Sequence, residues 1–384
     1  MVTLFDVARL AGVSTATVSR VVHGQDRVRE ATRIRVQQAI EELGYVPDSA
    51  AQSLSRRRKD VIGLVCVERQ AQQYDIENMN LLFYDEVLRG VEARIRDHDW
   101  SLLITFLQGV HDPGFPRLES FSGKVDGILI GEGIVPSPFI ERLAARVPVV
   151  IFAGTPDEKA ADVVTADNLS GSAAVVAHLI RDHGRRRLFW VHGPADSPDS
   201  RERRLGLDYV LQANPQCQLT GFYQGFYSVQ SGEEAGGSLL AMPRRDLPDA
   251  IVSANDQMAI GVLKALDRAG IRVPEDVAVA GFDDIFPGSL CAPPLTTVHQ
   301  PMRLLGERAC ARLLDRVADP SLRPAIELLP TELVLRSSCG CPPGTVIRRP
   351  VPALKVPRPE LTGAARARAG ARPGRRPARQ VAKA

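Results

Sequence analysis

A chain of 384 residues is too long for one domain of ordinary size. Its 44% apolar and 24% charged residues describe folded globular protein rather than a disordered or fibrous one. No apolar run reaches the roughly 18 residues of a membrane span, and no export signal precedes the first helical pattern, so a soluble, cytoplasmic protein is expected. The net charge of +3 hides an uneven distribution: residues 1–60 carry 10 Lys+Arg against 7 Asp+Glu, residues 340–384 carry 11 against 1, and the middle is left near −10. A basic head on an acidic body fits contact with nucleic acid at one end.

Thr3 and Asp6 have the Ser/Thr-x-x-Asp/Glu spacing of a helix start, so a first helix is predicted from Leu4, with Val7, Ala8 and Ala11 on its apolar face. Gly12 ends it, since only glycine enters a left-handed turn without steric cost. Val13 plugs the turn. Ser14 is the next N-cap and frees Thr15 to begin a second helix, whose Val18, Val21 and Val22 face inward before Gly24 stops it. A third helix is predicted over Glu30–Leu43, with Val36, Ile40 and Leu43 inward and Gly44 as its stop. Two short helices across a tight turn form a helix-turn-helix unit, and the start of the second enters a major groove. Thr15, Ala16 and Arg20 then face base edges, where arginine can bind guanine O6 and N7 with two donors. Thr3, Ser14, Thr17, Ser19 and His23 are placed to hold phosphates, and Arg27 joins the DNA-contacting set. The helices alone also suit a small domain that packs against protein.

Pro47 and Asp48 then precede Ser49–Leu54 and the basic run Arg56-Arg57-Arg58-Lys59. Asp48 can cap one or two helical turns, which are marginal in water unless DNA or a partner copy supports them. Ala50 and Ala51 allow close approach, Leu54 is an apolar wedge of the kind that unstacks a base step from the minor groove, and the basic run would sit on phosphates. Without the head, the same segment reads as a charged, solvated linker.

Val61–Val67 is a continuous apolar run, as a strand buried on both faces requires. A helix over about Phe83–Asp97, a strand Ser101–Phe106, a short helix, a strand Gly127–Ile130, a helix near Pro138–Ala145 and a strand Pro148–Phe152 follow. The alternation restarts with a helix Asn168–His183, a strand Arg187–Val191, a helix Arg201–Ala213, a strand Ala250–Ser253, a helix Asp256–Ala269 and a strand Val277–Gly281. This predicts two doubly wound parallel sheets in tandem, with a cleft between two lobes. Ligands of such sheets sit beyond the carboxyl ends of the strands. Residues there include Asn255-Asp256, Asp283-Asp284, Arg203 at the start of a helix, and Gln300 after the Leu295–His299 stretch, with Tyr84 and Tyr227 as candidate aromatic faces. An arginine, an acid and amides beside a ring suit a polyhydroxylated ligand or a planar base. Taken singly, Asn255 reads equally well as a helix cap and Arg203 as half of a surface ion pair.

Cys66, Cys217, Cys291, Cys310, Cys339 and Cys341 include no C-x2-C pair, and they read as reduced thiols. Cys339-Gly-Cys341 alone is thin support for a metal or a disulfide, so neither a metal nor a cofactor is expected. Residues 341–384, rich in Pro, Arg, Ala and Gly, are expected to form a disordered basic tail. It would either add salt-sensitive DNA affinity or be an inert extension.

TLFDVARLAGVSTATVSRVVHG and GYVPDSAAQSL, with SANDQMAIGVLKAL, VAGFDD, LTTVHQPMRLLGERA, VVTADNLSG and ELVLRSSCG, resemble the lactose-repressor/galactose-repressor (LacI/GalR) family of bacterial transcription factors over about residues 2–340. The resemblance implies a helix-turn-helix head (1–46), a hinge helix and linker (47–60) and a periplasmic-binding-protein-like body (61–340). Its first lobe would span about 61–160 and 290–322, its second about 161–289 and 323–340. Two hinge helices would pair in the minor groove with Leu54 as wedge. The effector pocket would use Tyr84, Arg203, Tyr227, Asn255, Asp283 and Gln300. Arg29 stands where a serine cap is frequent, and Ala153 where members often carry a ligand-holding aspartate, so a sugar specificity does not transfer. No leucine heptad follows the body, so the expectation is a homodimer that reads a palindromic operator.

The function expected is a DNA-binding regulator, most simply a repressor, controlled by a small molecule, a sugar before a nucleobase. A solute-binding receptor would match the body but would lack the head. An enzyme would need more than Asp283 and His299 as acid/base groups, and the chain has no G-x-S-x-G, P-loop or zinc pattern.

Overall fold

The computed structural model describes residues 2–22, 28–45, 58–68, 81–96, 98, 100–108, 115–131, 135–154 and 160–355. His23, Arg27, Ala51 and Leu54 lie outside the described residues.

The head holds α1 (Leu4–Ala11), α2 (Thr15–Val22) and α3 (Glu30–Leu43). The Asp6 carboxylate accepts from the Thr3 N–H at 3.0 Å and the Thr3 hydroxyl at 2.7 Å, which fixes the start of α1. Gly12, at φ +64°, turns its N–H back onto the carbonyls of Ala8 and Arg9. Ser14 Oγ accepts the Thr17 N–H at 3.2 Å and starts α2. Val7, Ala8, Ala11, Val18, Val21, Val36 and Ala39 form the core. Ile40 and Leu43, expected inward, are only half-buried, because Ala39 lets α3 turn its small side toward the other two helices. Arg29 precedes α3 without a side-chain cap bond.

The body alternates β1 (Val61–Glu68), α4 (Leu81–Ile95), β2 (Ser101–Gln108), α5 (Phe115–Ser122), β3 (Gly127–Gly131), α6 (Ser137–Ala144), β4 (Val149–Phe152) and β5 (Asp162–Ala166). It continues through α7 (Asn168–Arg181), β6 (Arg187–His192), α8 (Pro198–Gln212), β7 (Gln218–Gln224), α9 (Val229–Leu240), β8 (Ala250–Ser253), α10 (Asp256–Arg268) and β9 (Ala278–Ala280). The last elements are α11 (Phe286–Ser289), β10 (Thr297–His299), α12 (Met302–Ala318), β11 (Ile326–Leu329), β12 (Glu332–Leu335), a 3-10 turn at Ser337–Cys339 and β13 (Ile347–Pro350). The first lobe is a parallel sheet in the order β11-β5-β4-β3-β1-β2, and the second a parallel sheet in the order β7-β6-β8-β9. Along β1, Ile62, Leu64 and Cys66 pack toward α4 and α12, while Val65 joins the opposite layer with Leu118, Ile128 and Leu143. Both faces of the strand are therefore covered, which is why its sequence is apolar throughout.

The chain crosses between lobes three times: after β5, at β10 into α12, and from β11 into β12. This corrects the expected lobe boundaries. β5 and β11 pair with each other in the first sheet, so residues 162–166 and 326–329 belong to the first lobe. β7 and α9 went unread because β7 is an edge strand of alternating exposure and α9 is built on small residues. The expected disordered tail also begins too early. β13 pairs antiparallel with β12, and Leu354 N–H donates to Ser170 Oγ at 2.9 Å.

α4 and α12 cross where two glycines meet. A Cβ on Gly90 would run into the Arg303 carbonyl, and one on Gly306 into the Val87 carbonyl. Gly306→Ala is expected to push the helices apart and cost about 1–3 kcal/mol, read as a lower urea midpoint at unchanged slope. An unchanged midpoint would show that the close approach is not needed.

Candidate functional site

Arg203 is the centre of the cleft. It lies one turn into α8 and is 3% exposed. Its Nε donates to Asn168 Oδ1 at 2.8 Å, its Nη1 to the Ala254 carbonyl at 2.5 Å and to Asp283 Oδ1 at 3.2 Å, and its Nη2 to Gln300 Oε1 at 3.0 Å. Asp199, one turn earlier on α8, lies 3.7 Å from Nη2. The guanidinium plane sits over the Phe282 ring, 3.8 Å from its centroid. A buried cation is tolerated only with such a set of partners.

Five of the six expected pocket residues, Arg203, Tyr227, Asn255, Asp283 and Gln300, line one cavity of about 40 Å³ with Phe83, Ala153, Ser197 and Asp199. That volume holds about two waters. Tyr84 is the exception: its ring packs edge-on against Phe83 and Phe152, and Phe83 takes its place on the cavity wall. Neighbouring helical positions point about 100° apart, so an offset of one residue moves the aromatic face. Asn255 does both things open to it. Its Oδ1 caps α10 by accepting the Met258 N–H at 3.0 Å, and its Nδ2 donates to the Tyr227 carbonyl at 3.3 Å. Tyr227 sits at φ +63° and its hydroxyl is 2.9 Å from Ser197 Oγ. Sequence reasoning missed Ser197 and Asp199, although Asp199 stands at the i,i+4 spacing from Arg203 that signals a helical ion pair.

A wider groove of about 650 Å³ opens on the other side of Asp283, between α4, α11 and α12. Exposed charges such as Glu86, Arg303 and Glu307 line it together with the apolar Leu82, Ile285, Phe286 and Leu304. The smaller cavity is the one where buried polar groups converge at strand ends.

The loop after β9 is strained. Asp283 and Asp284 have φ +123° and +60°. Asp256 holds the loop: its carboxylate accepts the Thr297 hydroxyl at 2.5 Å and the Ile285 N–H at 2.9 Å. Asp284 receives Arg336 and Arg348, each at 2.6 Å, so β13 is tied to the edge of the cleft. Burial pushes the Asp283 carboxyl up to about 7, although Arg203 pulls it back. Burial and then the charge of Asp283 lift Asp256 well above the usual carboxylate range. The two carboxylates nearest Arg203, Asp199 and Asp283, are matched to that guanidinium rather than arranged to hold a metal ion.

On the head, Ala16 and Arg20 are exposed on one face of α2, with Thr15, Thr17 and Ser19 half-buried beside them. The hydroxyls of Thr3 and Ser14 already serve as intramolecular partners, to Asp6 and Thr17. The end of the linker departs from expectation. Lys59 was placed on phosphates, yet its Nζ donates to the Val125 carbonyl at 2.7 Å, while the N–H groups of Lys59 and Asp60 reach Asp126 Oδ2 at 2.9 and 2.6 Å. Arg58 lies over the Trp100 ring. The body grips its last linker residues through one carboxylate.

A carboxyl raised on folding binds a proton that the unfolded chain releases. The Asp283 contribution is therefore complete below 3.8 and is lost as pH rises toward about 7. Urea unfolding across that window should show stability falling with pH, and Asp283→Asn should flatten the fall. Parallel profiles for the two proteins would contradict the assignment.

Residues 3–48 match the model of bacterial regulatory proteins of the lacI family, and residues 176–339 match a periplasmic binding protein-like domain. The chain is 36% identical to the ribose operon repressor of Escherichia coli (strain K12) over 327 residues, covering 84% of this chain and 95% of that protein. The lac repressor dimer bound to operator and the anti-inducer ONPF superposes with a TM-score of 0.77 at 28% identity, covering 88% of this chain and 99% of that one. A complex of the transcriptional regulator CelR with cellobiose superposes at 0.64 with 33% identity, covering 88% and 100%. With its head, its crossed lobes and its full-length relatives in agreement, the chain belongs to the lacI family of bacterial regulatory proteins.

Proposed function

We propose that this chain is a ligand-controlled transcriptional repressor that binds a palindromic DNA operator as a homodimer and takes a sugar in the cleft around Arg203. The observation that carries the reading is the joining of Arg203, Asp283, Asn255 and Gln300 at strand ends of the second lobe, facing Phe83 and Ala153 of the first. Donors and acceptors around a buried arginine, flanked by an aromatic ring, match a polyol, whose hydroxyls both give and accept hydrogen bonds. Ala153 offers the ligand no carboxylate, so Asp283 and Asp199 supply the carboxyl groups on the wall. The relatives named for ribose and seen with cellobiose support a sugar.

A sugar that displaces Gln300 and Asp283 from Arg203 acts on the crossings that join the lobes. The first lobe in turn holds residues 59–60 through Asp126. Ligand binding thus biases how two copies present their heads, by as much as its affinity differs between the two arrangements. Exposed Phe106 on edge strand β2 and Phe222 on edge strand β7 leave apolar edges that a partner copy can cover. Among the described residues no helix is long and apolar enough to cross a membrane, which fits a cytoplasmic site of action.

Selection from random duplexes with the full chain should enrich an imperfect palindrome. Arg20→Ala should lose about 1–3 kcal/mol of discrimination at one position per half-site while keeping its sugar response. A pool without two-fold symmetry would count against the dimeric repressor. In a thermal-shift panel of D-ribose, cellobiose and adenine, a sugar should raise the midpoint, and Asp283→Ala should remove that rise. A rise with adenine alone would replace the sugar by a base.

A further inference from the structure

Away from the cleft, the fold brings together two histidines and two cysteines that the sequence separates by more than 150 positions. His178 is in the last turn of α7, His183 follows that helix, and Cys339 and Cys341 flank Gly340 after β12. Their ligand atoms all lie within 4.8 Å of one another. His178 Nε2 is 3.1 Å from His183 Nε2, 3.4 Å from Cys339 Sγ and 3.6 Å from Cys341 Sγ, and Cys341 Sγ is 3.5 Å from His183 Nε2. Zinc–nitrogen and zinc–sulfur bonds of ordinary length give tetrahedron edges of about 3.3 Å between nitrogens and about 3.6 Å between nitrogen and sulfur. Four of the six edges fall within about 0.2 Å of those values, and the other two are no longer than 4.8 Å.

Hydrogen bonding accounts for the cluster poorly. His178 Nδ1 is held by Asp182 Oδ2 at 2.6 Å, which places the ring proton there and leaves Nε2 as a lone pair. That one lone pair faces three heavy atoms at once. A carboxylate behind a histidine is also the usual outer partner of a metal-bound imidazole. The Thr296 hydroxyl donates to the Arg336 carbonyl at 2.8 Å and lies 3.1 Å from Cys339 Sγ, to which it can turn its proton once that sulfur is a thiolate. Gly340, at φ +114°, lets the chain double back so that both sulfurs reach one point, and a Cβ there would lie 2.9 Å from His183 Nδ1.

We propose that His178, His183, Cys339 and Cys341 form a structural zinc site. Four protein ligands close the coordination sphere, so the ion has no open position for chemistry. It staples α7 to the segment that carries Arg336 and leads into β13. Through these it braces the helix that packs against α8 and the arginines that hold Asp284. Deprotonating two thiols on binding leaves a neutral site, and the protons pass to solvent.

The full chain, purified under reducing conditions, should carry one zinc per chain by elemental mass spectrometry. After chelation, added Co²⁺ should give the visible bands of a tetrahedral ion together with thiolate charge transfer. Zn²⁺ should protect Cys339 and Cys341, but not half-buried Cys291, from iodoacetamide. Cys341→Ser and His183→Ala, at the two half-buried ligands, should fold and lose stoichiometric metal, and Asp182→Asn should weaken binding by about 10–100-fold. Reduced wild-type chain that takes up neither Zn²⁺ nor Co²⁺ would overturn the site. So would a Co²⁺ spectrum without thiolate charge transfer, or a Cys339–Cys341 disulfide that, once reduced, gives thiols Zn²⁺ does not protect.

Discussion

A positive charge that cannot be neutralised is buried at Arg203, and much of the second lobe is arranged to tolerate it. Guanidinium keeps its proton at any ordinary pH, so desolvation must be offset by geometry alone. The offset comes from the start of α7 (Asn168), the end of β8 (the Ala254 carbonyl), the loop after β9 (Asp283) and the crossing before α12 (Gln300). Four segments distant in sequence converge on one planar group. Lysine in its place offers a single point of charge and cannot satisfy them together.

The same node connects the cleft to the rest of the molecule. Asp283 and Asp284 are consecutive, strained and oppositely committed: one faces Arg203 inside the cleft, the other faces Arg336 and Arg348 outside it. A ligand that draws on Asp283 therefore pulls on a loop anchored by β13 and by Asp256. On the first lobe, Asp126 fastens residues 59–60 to the start of the central strand β3. Between these anchors lie the three crossings, the only covalent connections between the lobes among the described residues.

Much of this was legible in the residues. Gly12, Ser14 and Thr3 announced the head because caps and left-handed turns are chemically narrow, and the apolar run of β1 announced a sheet covered on both faces. The strand-end rule found Arg203, Asn255, Asp283 and Gln300, since it depends only on locating strands. Tyr84, named as a candidate aromatic face, packs edge-on against Phe83, and helical phase brings the Phe83 ring to the cavity wall. β5 and β11 were placed in the wrong lobe because strand pairing between distant segments leaves no local mark. Arg348 sits in a stretch whose composition looks disordered, and only partners distant in sequence, the β12 ladder with Glu332 and Asp284, give it a reason to be ordered. The His178–His183 spacing was visible in the sequence, but its meaning depends on two cysteines that the fold alone delivers.

The central claim is that occupation of the Arg203 cleft changes DNA affinity. The most direct measurement is the dissociation constant of the full chain for its selected duplex, with and without the sugar that stabilises it, in wild type and in Arg203→Lys. The account predicts a coupling of about 1–3 kcal/mol in wild type, a change of at least about fivefold, and its loss in the lysine variant. A sugar that binds wild type tightly yet leaves its DNA affinity unchanged would contradict it.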